Sequence, residues 1–151
     1  MQPSSESPVS TLLAAPAALI YQQFVLALVA QQQVMALINS QQQWAWSGTG
    51  TQQALALWQH PSFIKPVIGY WPNYRVFPIS LEELIYKIIP VLAREQKYLS
   101  LNLAADGQHV VVQPKQLLTD LKNYLYELER LQPQQFRTAG LPKARKIRLH
   151  D

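Results

Sequence analysis

The run Tyr98-Leu99-Ser100-Leu101-Asn102-Leu103 alternates apolar and polar residues, Asp106-Gly107 makes a turn, and His109–Gln113 returns. Side chains on a strand point alternately to its two faces, so this pattern predicts a half-buried strand with an antiparallel neighbour. Ser100 and Asn102 then fall on the outward face. Pro114 opens a helix in which Leu117, Leu118, Leu121, Leu125 and Leu128 recur at helical spacing, with Asp120 and Lys122 facing outward. That helix ends before Pro133. Such a succession calls for a sheet with a helix packed on it.

The remaining chain supplies the other layers. A helix is predicted from near Pro16, with Leu19, Ile20, Phe24, Ala27 and Leu28 on one face. Val34–Ile38 reads as a strand rather than a continuation of that helix, because Trp44-Ala45-Trp46 looks like its hairpin partner across a polar turn. Ser47-Gly48-Thr49-Gly50 is a turn, Ala54–Trp58 a third strand, and Phe63–Ile68 a short helix weakened by Pro66. Tyr74–Ile79 is extended. Ser80-Leu81-Glu82-Glu83 is a capping box for a helix with stripe residues Leu81, Leu84, Ile85, Ile88, Ile89 and Leu92, which Pro90 either kinks or cuts short. The expected fold class is α/β, closer to α+β: a single mixed, largely antiparallel sheet of about five or six strands flanked by helices.

With 151 residues and 48% hydrophobic composition, the chain has room for one core. It has no cysteine, which excludes disulfides, thiolate metal sites and cysteine nucleophiles. The apolar stretch Leu12–Ala30 superficially suits a membrane, but Tyr21, Gln22 and Gln23 interrupt its middle, so a soluble cytoplasmic protein with no membrane contact is expected. Five of the thirteen basic residues lie between Gln132 and Asp151 against one of the nine acids, which accounts for the whole formal charge of +4. Residues 1–11, rich in Ser and Pro, read as a disordered lead-in, 12–131 as a single α/β domain, and 132–151 as a basic flexible tail.

Catalytic signatures are missing. The three histidines have no second ligand at metal spacing, so neither a metal nor a cofactor is expected, and His60 suits a helix cap. Glu82 and Glu83 are explained by their place in a first helical turn. No nucleophile elbow, P-loop or dinucleotide fingerprint occurs. The basic run Lys143–Arg148 lacks a companion basic helix, so nucleic acid is not the expected partner. The sequence therefore reads as that of a protein without enzymatic activity.

Aromatics carry the functional signal. Trp44, Trp46 and Trp58 lie on adjacent predicted strands, and Tyr70, Trp71 and Tyr74 follow within thirty-odd residues. Trp44 and Trp46 are two apart, so both share one sheet face. Trp and Tyr at a partly open edge suit protein recognition, and these six are the candidate partner-binding residues, with a core role and an interface role both open for them.

The order Leu57-Trp58-Gln59-His60-Pro61, Ile79-Ser80-Leu81-Glu82-Glu83 and Val110-Val111-Val112-Gln113-Pro114 resembles a family of small bacterial proteins known as domain of unknown function 2750. The similarity spans about Tyr21 to Leu131. With the glutamine-rich texture and the basic tail, it implies a cyanobacterial adaptor for carbon dioxide fixation in photosynthesis. Its partner would be a carboxysome shell protein, whose extension an apolar groove grips during assembly. The alternative is a small enzyme or ligand-binding regulator whose polar groups converge only in three dimensions.

Overall fold

The computed structural model describes residues 17–48 and 52–149. The expected lead-in at Met1–Thr11 and the second half of the Ser47–Gly50 turn lie outside them. The elements run α1 (Ala17–Gln31), β1 (Gln33–Asn39), β2 (Trp46–Ser47), β3 (Ala54–Leu57), β4 (Tyr74–Ser80), α2 (Leu81–Glu83), a π-helical turn (Leu84–Ile88), α3 (Ile89–Arg94), β5 (Tyr98–Leu101), β6 (Val110–Val112), α4 (Pro114–Leu131) and α5 (Pro133–Ala139). This is an α+β fold, with strands that are mostly antiparallel and a sheet that does not close.

The six strands fall into two ladders, β1–β4 and β2–β3–β5–β6. Single bridges stitch them together, Met35 opposite Trp58 and Ile38 opposite Trp44. Between these, Ala45 donates its N–H to Leu37 O at 3.0 Å and accepts from Ala56 N at 3.2 Å, so the second strand wedges between the first and third. β3 and β5 pair in parallel, and the other ladders are antiparallel. Gly48 makes the wedge possible: its φ is +92°, and a Cβ there would sit 2.1 Å from Gln52 O.

Period-two alternation sorts each strand between two cores. Val34, Ala36, Leu55, Leu57, Ile79, Leu99 and Leu101 meet the helices. Met35, Leu37, Ala56 and Trp58 point the other way, against Phe63, Ile64 and Val67. The covering segment on that second face is not the short helix expected over Phe63–Ile68. It is a pair of single 3-10 turns, Pro61–Phe63 and Ile68–Tyr70, because Pro66 has no N–H to continue a helix between them. His60 caps the first turn, its Nδ1 accepting from Ser62 N at 3.1 Å.

β5 departs from the half-buried expectation. Ser100 is 0% exposed and Asn102 2%: Ser100 lies opposite Ala56 on the face that carries the second core, and Asn102 follows the end of the strand. Both polar side chains are paired, as burial requires. Asn102 Oδ1 accepts from Gln59 N at 3.0 Å and its Nδ2 donates to Gln59 Oε1 at 2.9 Å, which ties the ends of β3 and β5 together. On α1 the buried side chains are Phe24, Val25, Leu28 and Val29, while Leu19 is exposed. That helix is apolar around most of its circumference, so periodicity alone cannot select its inner face.

Ser80 Oγ accepts from Glu83 N at 3.0 Å, forming the expected helix cap. The turn Leu84–Ile88 widens to π geometry ahead of Pro90, which relieves the ring's clash with the preceding turn and lets the helix continue to Arg94. Ser80→Ala should cost about 1 kcal/mol of stability in urea denaturation, the usual worth of an N-cap. A loss below about 0.3 kcal/mol would mean that the cap contributes nothing here.

The C-terminal segment corrects the expectation of a flexible tail. Phe136 is 2% exposed, Ala144 4% and Ile147 1%, and all three belong to the helix-side core. Lys122 reaches across to donate to Ile147 O at 2.8 Å, and Gln32 Nε2 donates to Ala139 O at 2.9 Å. Asp120 is also engaged rather than outward-facing, accepting from the Tyr21 hydroxyl and from Gln116 Nε2.

Candidate protein-binding surface

The six candidate aromatics do not form one patch; the register divides them between the two faces. Ile38 lies opposite Arg75 in β4 and opposite Trp44, and Ala36 lies opposite Phe77. Directly opposed residues share a face. Arg75, Trp44, Phe77 and Trp46 therefore stand on the helix-side face of the sheet, where the three rings are half-buried. The Trp44 and Phe77 rings are tilted at 45° with centroids 5.6 Å apart.

On the opposite face Trp58 is 0% exposed and donates Nε1–H to Leu103 O at 3.0 Å. Trp71 meets it edge-on, centroids 5.7 Å apart at 79°, and Tyr74 packs beside the same core. Tyr70 is 64% exposed, its hydroxyl donating to Ala105 O at 3.3 Å. Trp58 is thus a structural residue in the folded chain, and only the rims of Trp71 and Tyr74 together with Tyr70 reach solvent on that side.

Sequence reasoning missed Phe77, Arg75 and Lys97. The guanidinium carbon of Arg75 lies 5.8 Å from the Phe77 centroid, and Lys97 Nζ lies 4.9 Å from that of Trp46. Both are cation–π distances. Lys97 also donates to Gln53 Oε1 at 2.8 Å. Among the described residues the only salt bridge is Arg130–Glu127, so neither Arg75 nor Lys97 has a carboxylate partner. The alternation of Tyr74–Ile79 was visible in sequence, but placing Phe77 beside Trp44 needs the β1–β4 register.

β4 is an edge strand. Met35 exchanges both backbone hydrogen bonds with Trp58, at 2.8 Å each, on the side of β1 away from β4. Its opposite number Pro78 therefore occupies a non-hydrogen-bonded position, and the same parity turns the backbone of Val76 outward. The open edge offers Val76 N–H and C=O, while Pro78 can supply only a carbonyl. A long edge with one proline is guarded against indiscriminate strand pairing yet still accepts a short extended segment.

Chemically reactive groups are few. Among the described residues no cluster of three or more His, Cys, Asp or Glu could hold a metal. Ser100 Oγ and His109 Nδ1 are 2.6 Å apart, but Ser100 has no exposed surface from which to attack a substrate. Burial of the Tyr21 hydroxyl, then its bond and proximity to Asp120, push it well above the ordinary tyrosine range, so it stays a neutral donor locking α1 to α4.

Burial lowers the pKa of the His109 ring from its ordinary 6.5, favouring the neutral form that can accept the Ser100 proton. The sign follows: a pKa depressed on folding adds stability that is complete above 6.5 and lost as pH falls through the lower folded value. The urea midpoint should therefore fall below pH 6.5 more steeply in the parent than in His109→Gln. Equal slopes in the two proteins would refute the assignment.

The helices and the half-buried rings of Trp44, Trp46 and Phe77 share one face of the sheet in this small α+β protein. The chain belongs to the family described as protein of unknown function (DUF2750), whose model matches residues 21–121. That match takes in every strand and stops within α4. No curated protein matches the chain. Among the described residues no helix is long and apolar enough to cross a membrane.

Proposed function

We propose that this protein is a non-enzymatic adaptor that holds an extended segment of another protein on the Trp44–Phe77–Trp46 row beside the free edge of β4. The observation that carries the reading is the half-buried Trp44–Phe77 pair and Arg75 beside the outward backbone pair of Val76 on β4, with Lys97 over Trp46 further along the same face; among the described residues neither cation has a carboxylate partner. Stiff aromatic faces bind at low entropic cost, and an edge amide pair fixes the direction of an added strand. The resemblance within the family sharpens the proposal to a carboxysome assembly factor of the CcmS type, with an extension of a shell protein as the segment held. The buried position of Ser100 weighs against the alternative of a small enzyme using Ser100 and His109.

Titration with a synthetic peptide of a shell-protein extension tests this reading. Trp44→Ala should weaken binding by about 2 kcal/mol, the scale of a hot-spot truncation. Trp71→Ala, on the other face, should leave affinity unchanged. Binding that survives Trp44→Ala and Arg75→Glu but is lost with Trp71→Ala would move the site to the opposite face and sink the proposal.

A further inference from the structure

On its side away from β1, β4 has no strand neighbour among the described residues, and what that edge can accept is set residue by residue. Arg75 and Phe77 spend their backbone groups on Ile38 and Ala36, because Met35 and Asn39 bond on the far side of β1. Tyr74, Val76 and Pro78 therefore turn theirs outward. Pro78 has no N–H, and Tyr74 N–H already donates to Trp71 O at 3.2 Å. Val76 N–H is the one edge donor left between Tyr74 and Pro78 among the described residues.

A second copy of the same strand meets these constraints. Laid antiparallel about a two-fold axis at Val76, the two Val76 residues form a hydrogen-bonded pair in which each donates its N–H to the other's carbonyl. Tyr74 then faces Pro78 of the other copy, and neither has a free N–H to leave unmet. Arg75 faces Phe77 of the other copy in the closer, non-hydrogen-bonded pairing. Its guanidinium, already 5.8 Å from the Phe77 centroid of its own chain, gains a second ring. On the opposite face Val76, 38% exposed, is covered by its twin. Other axes fit less well: one at Arg75 sets like charges directly opposite each other, and one at Phe77 aims Val76 C=O at the proline's missing donor.

We infer that β4 pairs with β4 of a second copy of this chain about a two-fold axis at Val76, forming a homodimer that covers the free edge. The pairing is isologous, so it closes at two copies. The paired strands are short and bury less area than a stable interface does, so the dimer exchanges readily with monomer. The two Arg75 side chains lie on a diagonal of the pairing, and their repulsion weakens as salt screens it. The dimer hides the edge to which the adaptor reading assigns an extended segment, so the two occupants compete. That consequence rests on the adaptor reading; the pairing itself does not.

Sedimentation equilibrium of the full chain, from micromolar to millimolar concentration in high salt, should show a reversible monomer–dimer equilibrium. Val76→Pro removes the edge donor and keeps every bond to β1, and should raise the dissociation constant by about tenfold or more. Arg75→Glu, which sets a carboxylate against the facing ring, should raise it by about tenfold. Thermal melts check that both variants fold, and Arg75→Glu carries the test if Val76→Pro does not. The chain has no cysteine, so Val76→Cys reports the register. Opposed residues in a hydrogen-bonded pair lie about 5.5 Å apart at Cα, within disulfide reach. Under mild oxidation Val76→Cys should cross-link to a dimer while Tyr126→Cys, 56% exposed on α4, stays monomeric. A parent chain that remains monomeric at millimolar concentration, a dimer unmoved by the folded variants, or equal cross-linking of the two cysteine variants would each overturn the inference. Loss of shell-peptide binding with the dimer intact would sink the adaptor reading alone.

Discussion

A chain cut after Leu131 should lose about 5 kcal/mol of stability or fail to fold at 37 °C, a loss comparable to the whole stability of many small domains. Removing residues 132–151 takes away Phe136 and Ile147, each almost completely buried in the helix-side core, and half-buried Leu141 packed against them. Truncating a buried Phe alone costs about 3–5 kcal/mol and a buried Ile about 2–5. The cut also strips Lys122 and Gln32 of the carbonyls to which they donate. Urea denaturation of the cut chain, with Phe136→Ala in the full chain beside it, measures the effect. A truncated protein that melts within a few degrees of the parent would show that the segment's packing contributes nothing.

Trp58→Ala should be the most damaging single truncation on the opposite face, at about 3–5 kcal/mol. Its indole is completely buried, meets Trp71 edge-on, and satisfies Leu103 O. Trp58→Phe separates packing from hydrogen bonding: it keeps a ring in the site but leaves that carbonyl without its donor, at about 1–3 kcal/mol. A loss below about 1 kcal/mol for Trp58→Ala would contradict a sealed core position and return Trp58 to the candidate interface.

Local pattern determined much of this protein. Period-two alternation marked Tyr98–Leu103, the leucine spacing marked α4, Ser80 with Glu83 marked a helix start, and the Ser47–Gly48 turn marked a chain reversal. Each depends on residues within a few positions of one another, where backbone geometry is set by neighbours. Membership of the family could likewise be read from short runs such as Ile79–Glu83 and Val110–Pro114.

Only the tertiary structure decided which faces are buried and which residues meet. Ser100 looks like a solvent-facing alternate until the parallel register of β3 and β5 sets it beside Ala56 on the face that carries the second core. Trp44 and Trp58 look equivalent in sequence, yet the wedge between β1 and β3 sends one to an open row and the other to a sealed core. Arg75, Phe77 and Lys97 join the candidate site only through cross-strand register and the chain reversal after α3. The C-terminal segment has too few apolar residues to signal its own burial, but Phe136, Ala144 and Ile147 need only a surface already built by α1 and α4. Burial is a property of where distant segments meet, because the free energy of removing apolar surface from water depends on the partner that covers it.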